Sequence, residues 1–233
     1  MSESSTISTA VGECRLRRSN RRTLAISVHP DGTVELAAPK MAAVDAITAK
    51  VAKRSGWIRL QRQRFAEMNR DRLPLRYVSG ASHRYLGRQY RLKVRKAEPT
   101  EVRLVGGYFL INAKSDDQDE VRALLERWFR KHAQALFAQR LSQWSEWCRA
   151  RKLPEPRLSL LKMPKRWGSA QRDGRIRLNP ELVRMPSICI DYVVAHEICH
   201  LRFPTHDPRF YRQLSELMPD WRKIKARLES EPL

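Results

Sequence analysis

The sequence predicts an α+β fold in which a strand-rich N-terminal region precedes a domain built on helices and a small sheet. Three observations carry this. Short runs of alternating apolar residues, separated by turn residues, fill the first half. One apolar stripe of helical period extends from Asp117 to about Trp147. The last third combines short strands with apolar helices interrupted at prolines. The expected limits are a disordered tail over 1–12, a strand-rich domain over 13–115 and a second domain over 116–233.

The first element is a hairpin. Leu24, Ile26 and Val28 alternate as a half-buried strand does, Pro30-Asp31-Gly32 forms the turn, and Val34 and Leu36 return. The arginines Arg15, Arg17, Arg18, Arg21 and Arg22 cluster at its start. A helix is expected from about Ala42 to Met68, with Val44, Ile47, Val51, Ile58 and Phe65 near helical spacing, until Pro74 and Gly80 interrupt the pattern. Strands follow at 90–94, 101–105 and 108–111, the last two joined at Gly106-Gly107. The long helix begins beyond Ser115 or Asp116 as cap, with acidic residues in a first turn that suits the helix dipole. Residues 158–163 read as a strand. So do both arms of the hairpin that turns at Asp173-Gly174.

Charge and cysteine usage narrow the classes. Forty-six Lys and Arg against 25 Asp and Glu give a net charge of +21, a field that attracts nucleic acid, anionic membrane or acidic protein. Arginine dominates the excess, and its planar fork matches phosphate. The five clustered arginines are therefore candidate nucleic-acid contacts. No apolar run reaches the length of a membrane span. Cys14, Cys148, Cys189 and Cys199 are scattered without a CxxC pair, which argues against a disulfide scaffold and for a reducing, cytoplasmic setting.

The richest stretch is Asp191–Tyr211, DYVVAHEICHLRFPTHDPRFY. His196, Glu197 and His200 form HExxH. Residues four apart on a helix differ by about 40° around the axis and roughly 6 Å along it, so both imidazoles reach one point. Neutral imidazole is a good zinc ligand, and the intervening glutamate can take a proton from a metal-activated water. A catalytic zinc needs a third protein ligand, for which His206 is the candidate. On a continuous helix it would sit about 240° from His200, on the wrong face. Pro204 stops the helix, and Asp207-Pro208 reads as a cap followed by proline at the first position of a new one. His206 then lies in a turn and can swing back.

These residues also carry a resemblance. Trp167-Gly168-Ser169, Arg177-Leu178-Asn179, Asp191-Tyr192-Val193, the HExxH, His206 and Met218-Pro219-Asp220 together resemble the YgjP-like zinc metallopeptidases. So do RRSNRR and YLGRQYRL in the first half. The resemblance implies a zincin-like domain with its catalytic helix behind a small antiparallel sheet. It implies one zinc per chain on His196, His200 and His206, with Glu197 as general base. Ala170 stands where the family often has cysteine, which leaves this ligand set intact. A more distant similarity is to SprT-like proteases, some of which act on DNA-associated proteins.

The expected activity is hydrolysis of peptide bonds in a protein or peptide substrate. Tyr192, Arg202 and Tyr211 are candidate substrate or oxyanion contacts, with packing or solvent exposure as the alternative for each. Trp167 and Asn179 read as scaffold. The competing reading is a basic nucleic-acid-binding protein with a structural zinc. Such a site normally has four protein ligands, and no fourth is evident near the motif.

Overall fold

In the computed structural model, residues 4–29, 31–70, 75–164 and 166–230 are described. Pro30 of the expected turn, Pro74, the side chain of Phe65 and the first three residues of the expected tail lie outside them. Among the described residues the chain is mixed α and β, with three small sheets. It divides into two compact units, 1–73 and 74–231.

In the first unit, strands β1 (Ser4–Thr9), β2 (Gly12–Ser19), β3 (Ala25–Val28) and β4 (Val34–Pro39) form a sheet of order β1-β2-β4-β3. The β3–β4 pair is the expected antiparallel hairpin, whereas β2 runs parallel to β4. The expected tail is corrected here. Ser4–Thr9 pairs antiparallel with β2, so a polar segment gains its backbone partners from a neighbouring strand, and Ile7 packs on the core. The expected single helix is two, α1 (Val44–Lys53) and α2 (Ser55–Arg70). The break falls at Arg54, whose N–H bonds back to Val51. Cys14, Leu16, Val34, Leu36, Ile47, Val51 and Ile58 form this unit's core.

In the second unit, β5 (Ser82–Tyr85), β6 (Arg88–Lys96), β7 (Glu101–Val105) and β8 (Tyr108–Ala113) form a sheet of order β5-β6-β8-β7. Helix α3 (Gln118–Ser142) buries Val121, Leu125, Phe129, Ala133, Phe137 and Leu141, in the same core as Leu92, Phe109 and Ile111 of the sheet. That shared core is why the expected boundary near 115 does not separate compact units. The cap of α3 is Asp117, which accepts from the N–H groups of Asp119 and Glu120. Ser115 binds the Glu120 carboxylate instead. The stripe expected to continue through Trp147 turns at Gln143-Trp144 into a short helix, α4 (Ser145–Ala150).

Strands β9 (Arg157–Leu160), β10 (Gly168–Ala170) and β11 (Arg175–Leu178) make a sheet of order β10-β11-β9. It is mixed rather than antiparallel. Strands β9 and β10 are not joined as a hairpin, so β11 pairs antiparallel with β10 and parallel with β9. A 3-10 turn, Pro180–Arg184, then leads to α5 (Ser187–Arg202), α6 (Pro208–Leu217) and α7 (Trp221–Ser230).

The β5–β6 turn reaches the entry of α5. Leu86 and Gly87 both have positive φ, as a tight hairpin of this length requires. Their N–H groups donate to the carbonyls of Val183 and Arg184 at 2.9 and 3.0 Å. A Cβ on Gly87 would stand 2.9 Å from Pro186, the residue before α5. Gly87→Ala is therefore expected to destabilise the protein by about 1–3 kcal/mol through backbone strain and this collision. A fall in the urea midpoint at unchanged slope would show it.

Candidate metal centre

Helix α5 is buried on almost every side. Cys189, Ile190, Val193, Val194, Ile198 and Leu201 all lie in the core. A helix so enclosed holds its polar side chains in fixed positions. It stops at Arg202, and Phe203 takes an extended conformation before Pro204. Asp207 caps α6 by accepting from the N–H groups of Arg209 and Phe210, with Pro208 in the first turn. The Arg209 guanidinium in turn holds the Asp207 carboxylate at 2.9 Å. His206 sits in the turn between these two ends, one residue before a well-tied cap.

The turn brings His206 back. Its Nε2 lies 3.0 Å from Nε2 of His196, and the ligand nitrogens of His196, His200 and His206 all lie within 4.8 Å of one another. Two nitrogens on one tetrahedral zinc stand roughly 3.3 Å apart, given bonds of about 2.0–2.1 Å. The three imidazoles thus fit one ion. The Nδ1 of His200 donates to the Phe203 carbonyl at 3.0 Å, which leaves the lone pair on Nε2 for a ligand bond. Burial pushes the His196 imidazole down to about 3, with His200, His206 and Lys225 adding to the effect. Burial lowers His206 as well. Both favour the neutral, metal-binding form. Phe210, fully buried, packs against all three rings, with centroids 4.7–5.0 Å away.

Glu197 is 5% exposed. Its Oε2 is buried and has no hydrogen-bond partner among the described residues, an acceptor left for a donor that enters the cavity. Burial raises its carboxyl to about 8, while the charge of Arg166 and the N–H of Ala170 pull it down. Gly168 of β10 lies directly against it. A Cβ there would meet Glu197 Oε1 at 2.6 Å and its Cδ at 2.9 Å. Gly168→Ala must therefore displace the carboxyl group. If Glu197 acts on a reacting water, kcat falls about 10²-fold while metal content stays at the wild-type level, since angstrom-scale misplacement of a reacting group has effects of that size. Parallel metal and rate measurements test this, and a normal rate would show that the carboxylate needs no such bare surface.

The centre opens into a cavity of about 480 Å³. Arg166 to Ala170 and Arg172 line one side, Tyr192, Val193 and the motif another, and Lys225, Leu228 and Glu229 of α7 a third. The sequence-derived candidates separate here. Tyr192 lines the cavity, with its ring 5.8 Å from that of His196, and burial raises its phenol so that it stays protonated. Tyr211 stacks between His206 and Trp221 but is not part of the lining. Arg202 also lies outside the lining. It donates to Gln213 of α6 and lies over the Phe203 ring, a tie between helices. Trp167 lines the cavity, and Asn179 is buried scaffold whose amide donates to the Met163 carbonyl.

Cys199, next to His200 in sequence, accepts a bond from Gln213 at 3.8 Å, and burial pushes its thiol up to about 12. It is no part of the histidine group. The arginine cluster belongs to the first unit. Arg15 and Arg17 are exposed on β2, and Arg17 pairs with Glu35 at 3.8 Å. Arg18 donates to the carbonyls of Pro39, Lys40 and Ala42, a latch across the end of β4. Arg21 and Arg22 follow in the loop after β2.

Sequence reasoning missed Gly168 as the surface under Glu197, Phe210 as the packing partner of all three rings, and α7 as a cavity wall. Gly168 carried a signal, because it sits in the Trp-Gly-Ser motif. The α7 residues carried none, since nothing local marks which distant helix closes a cavity.

A protein-family model described as "YgjP-like, metallopeptidase domain" matches residues 22–231. No curated protein matches the chain. Among solved structures, the chain is similar to one described as "Crystal structure of the metallopeptidase zymogen of Pyrococcus abyssi abylysin". The match has 17% identity and a TM-score of 0.31, and it covers 44% of this chain and 90% of that one.

Proposed function

The chain belongs to the YgjP-like metallopeptidase family, and from that premise we propose that it hydrolyses peptide bonds in protein or peptide substrates at the three-histidine centre. The observation that carries the reading is the convergence of His196, His200 and His206 beside an unpartnered Glu197 carboxylate oxygen in one cavity. The domain is zincin-like, and the three imidazoles would hold one zinc per chain. Such an ion supplies Lewis acidity, which polarises a carbonyl oxygen and acidifies water.

The chain's own residues do the rest. Glu197 takes the proton of the attacking water and delivers it to the leaving amine. Gly168 leaves room for that carboxylate. Tyr192 donates its phenolic hydrogen to the oxyanion, a role supported by its place in the lining and its protonated state. Strand β10 is the outer strand of its sheet and lines the cavity, so an extended substrate chain can lie along it. The four cysteines are buried and form no disulfide among the described residues, which suits a cytoplasmic setting.

The structural-zinc reading has less support, because the ligand group holds no fourth protein ligand among the described residues. The test combines elemental mass spectrometry with cleavage of an unfolded protein substrate. About one zinc per chain, activity lost on chelation and regained with added zinc are expected. A zinc-loaded protein that cleaves no peptide or unfolded protein would overturn the proposal.

A further inference from the structure

A row of cations outside the cavity lies on the outward face of the β5–β8 sheet. Strand β6 alternates from Tyr90 to Arg95. Leu92 is buried and Val94 packs on the core, while Arg91, Lys93 and Arg95 point outward and are exposed. The register extends this face across the sheet. Arg91 lies beside Tyr108, Lys93 beside Leu110 and Arg95 beside Asn112. Beyond Leu110 comes Arg103, and beyond Tyr108 comes Val105, which is 53% exposed. The Lys93 ammonium stands 3.7 Å from the centroid of the Tyr108 ring. Among the outward residues of these four strands the only carboxylate is Glu101, and Arg103 pairs with it at 3.2 Å.

We propose that this face binds single-stranded nucleic acid. Alternate residues on a strand stand about 6.6 Å apart, so Arg91, Lys93 and Arg95 form an evenly spaced cationic row. An extended phosphodiester chain can follow such a row one phosphate after another. Tyr108 lies beside the row with its ring already engaged by a cation, and Leu110 and Val105 flank it. Rows of cations beside an aromatic ring bind single strands, because an unpaired base exposes a π-face that a duplex keeps stacked. Asn112 adds a donor and an acceptor for base edges or phosphate. The face is built from strands, which suits a duplex less well, because a groove admits a helix or a two-stranded ribbon rather than a flat sheet face. The first-unit arginine cluster is a weaker candidate, since Arg18 is spent on backbone carbonyls and Arg17 faces Glu35. This inference is independent of the peptidase reading.

The test is fluorescence anisotropy of the full chain with a labelled oligonucleotide of about 20 nucleotides, DNA and RNA, between roughly 50 and 200 mM salt. Each phosphate contact on a single strand contributes about 0.7 to the slope of log K against log salt, so the triple variant R91A/K93A/R95A should flatten that slope by about 2. Tyr108→Ala should weaken binding about 5- to 150-fold with the slope unchanged, and Tyr108→Phe, which keeps the ring, should restore it. Circular dichroism and thermal melting of each variant establish that the sheet is intact. If Tyr108→Ala does not fold, the triple variant at exposed positions and Tyr108→Phe still decide the matter. No binding by wild type would overturn the proposal. So would a slope unmoved by the triple variant but flattened by Arg15→Ala and Arg17→Ala. Equal affinity for duplex, or for vesicles of anionic lipid with the same residue dependence, would do so too.

Discussion

Glu197→Gln is expected to keep its metal and to lose about 10²–10⁴-fold in kcat, the usual contribution of a positioned general base. Glutamine has the same shape, so it fills the space above Gly168 without disturbing the three imidazoles. It cannot take a proton from water. Metal content equal to wild type, measured beside the rate, separates loss of the base from loss of the ion. A variant that cleaves at the wild-type rate would remove Glu197 from the mechanism. A second readout follows from burial. In the metal-free protein the Glu197 carboxyl is raised from 4.5 to about 8. The folded state therefore binds more protons than the unfolded state between those values, and stability falls as pH rises through that window. The glutamine side chain has no charge to bury. Metal-free Glu197→Gln should thus melt above metal-free wild type at pH 8, and the gap should narrow toward pH 4.5.

His206→Ala is expected to leave the protein folded and to abolish stable metal binding, and with it all cleavage. His196 and His200 remain on α5, but two imidazoles are fewer than the three protein ligands that catalytic zinc sites use. The fold should survive because His206 is exposed and the α6 cap belongs to Asp207, which the substitution does not touch. Elemental analysis after dialysis should find metal well below one per chain, against about one in wild type. Thermal melts of the two metal-free proteins should coincide. Retention of a full equivalent by the variant would mean that another residue completes the centre.

The sequence made the centre readable because its geometry is mostly local. Helical rise and twist alone put His196 and His200 on one face. Pro204 and the Asp207-Pro208 cap are chemical signals of a stop and a restart, and the structure has both. What stayed hidden depends on distant packing. The polar segment Ser4–Thr9 is a strand because β2 offers it a partner. The boundary expected near 115 misled because α3 and the preceding sheet bury their apolar faces against each other. Arg18 belonged to a visible basic cluster, yet its role as a latch depends on carbonyls at Pro39, Lys40 and Ala42. Arg202 sits in the last turn of α5, but Gln213 of the next helix decides where it points.

The seat of the β5–β6 turn on Val183 and Arg184 has a consequence for the order in which the centre is built. A turn made early in synthesis waits for a partner far down the chain, and the α7 wall of the cavity is later still. Contacts so distant in sequence form slowly and only after loop-closure entropy has been overcome. While a ribosome is still adding α7, the cavity around Glu197 lacks a wall. The emerging polypeptide is therefore expected to hold the three histidines and Glu197 in an open, incompletely walled site until α7 docks.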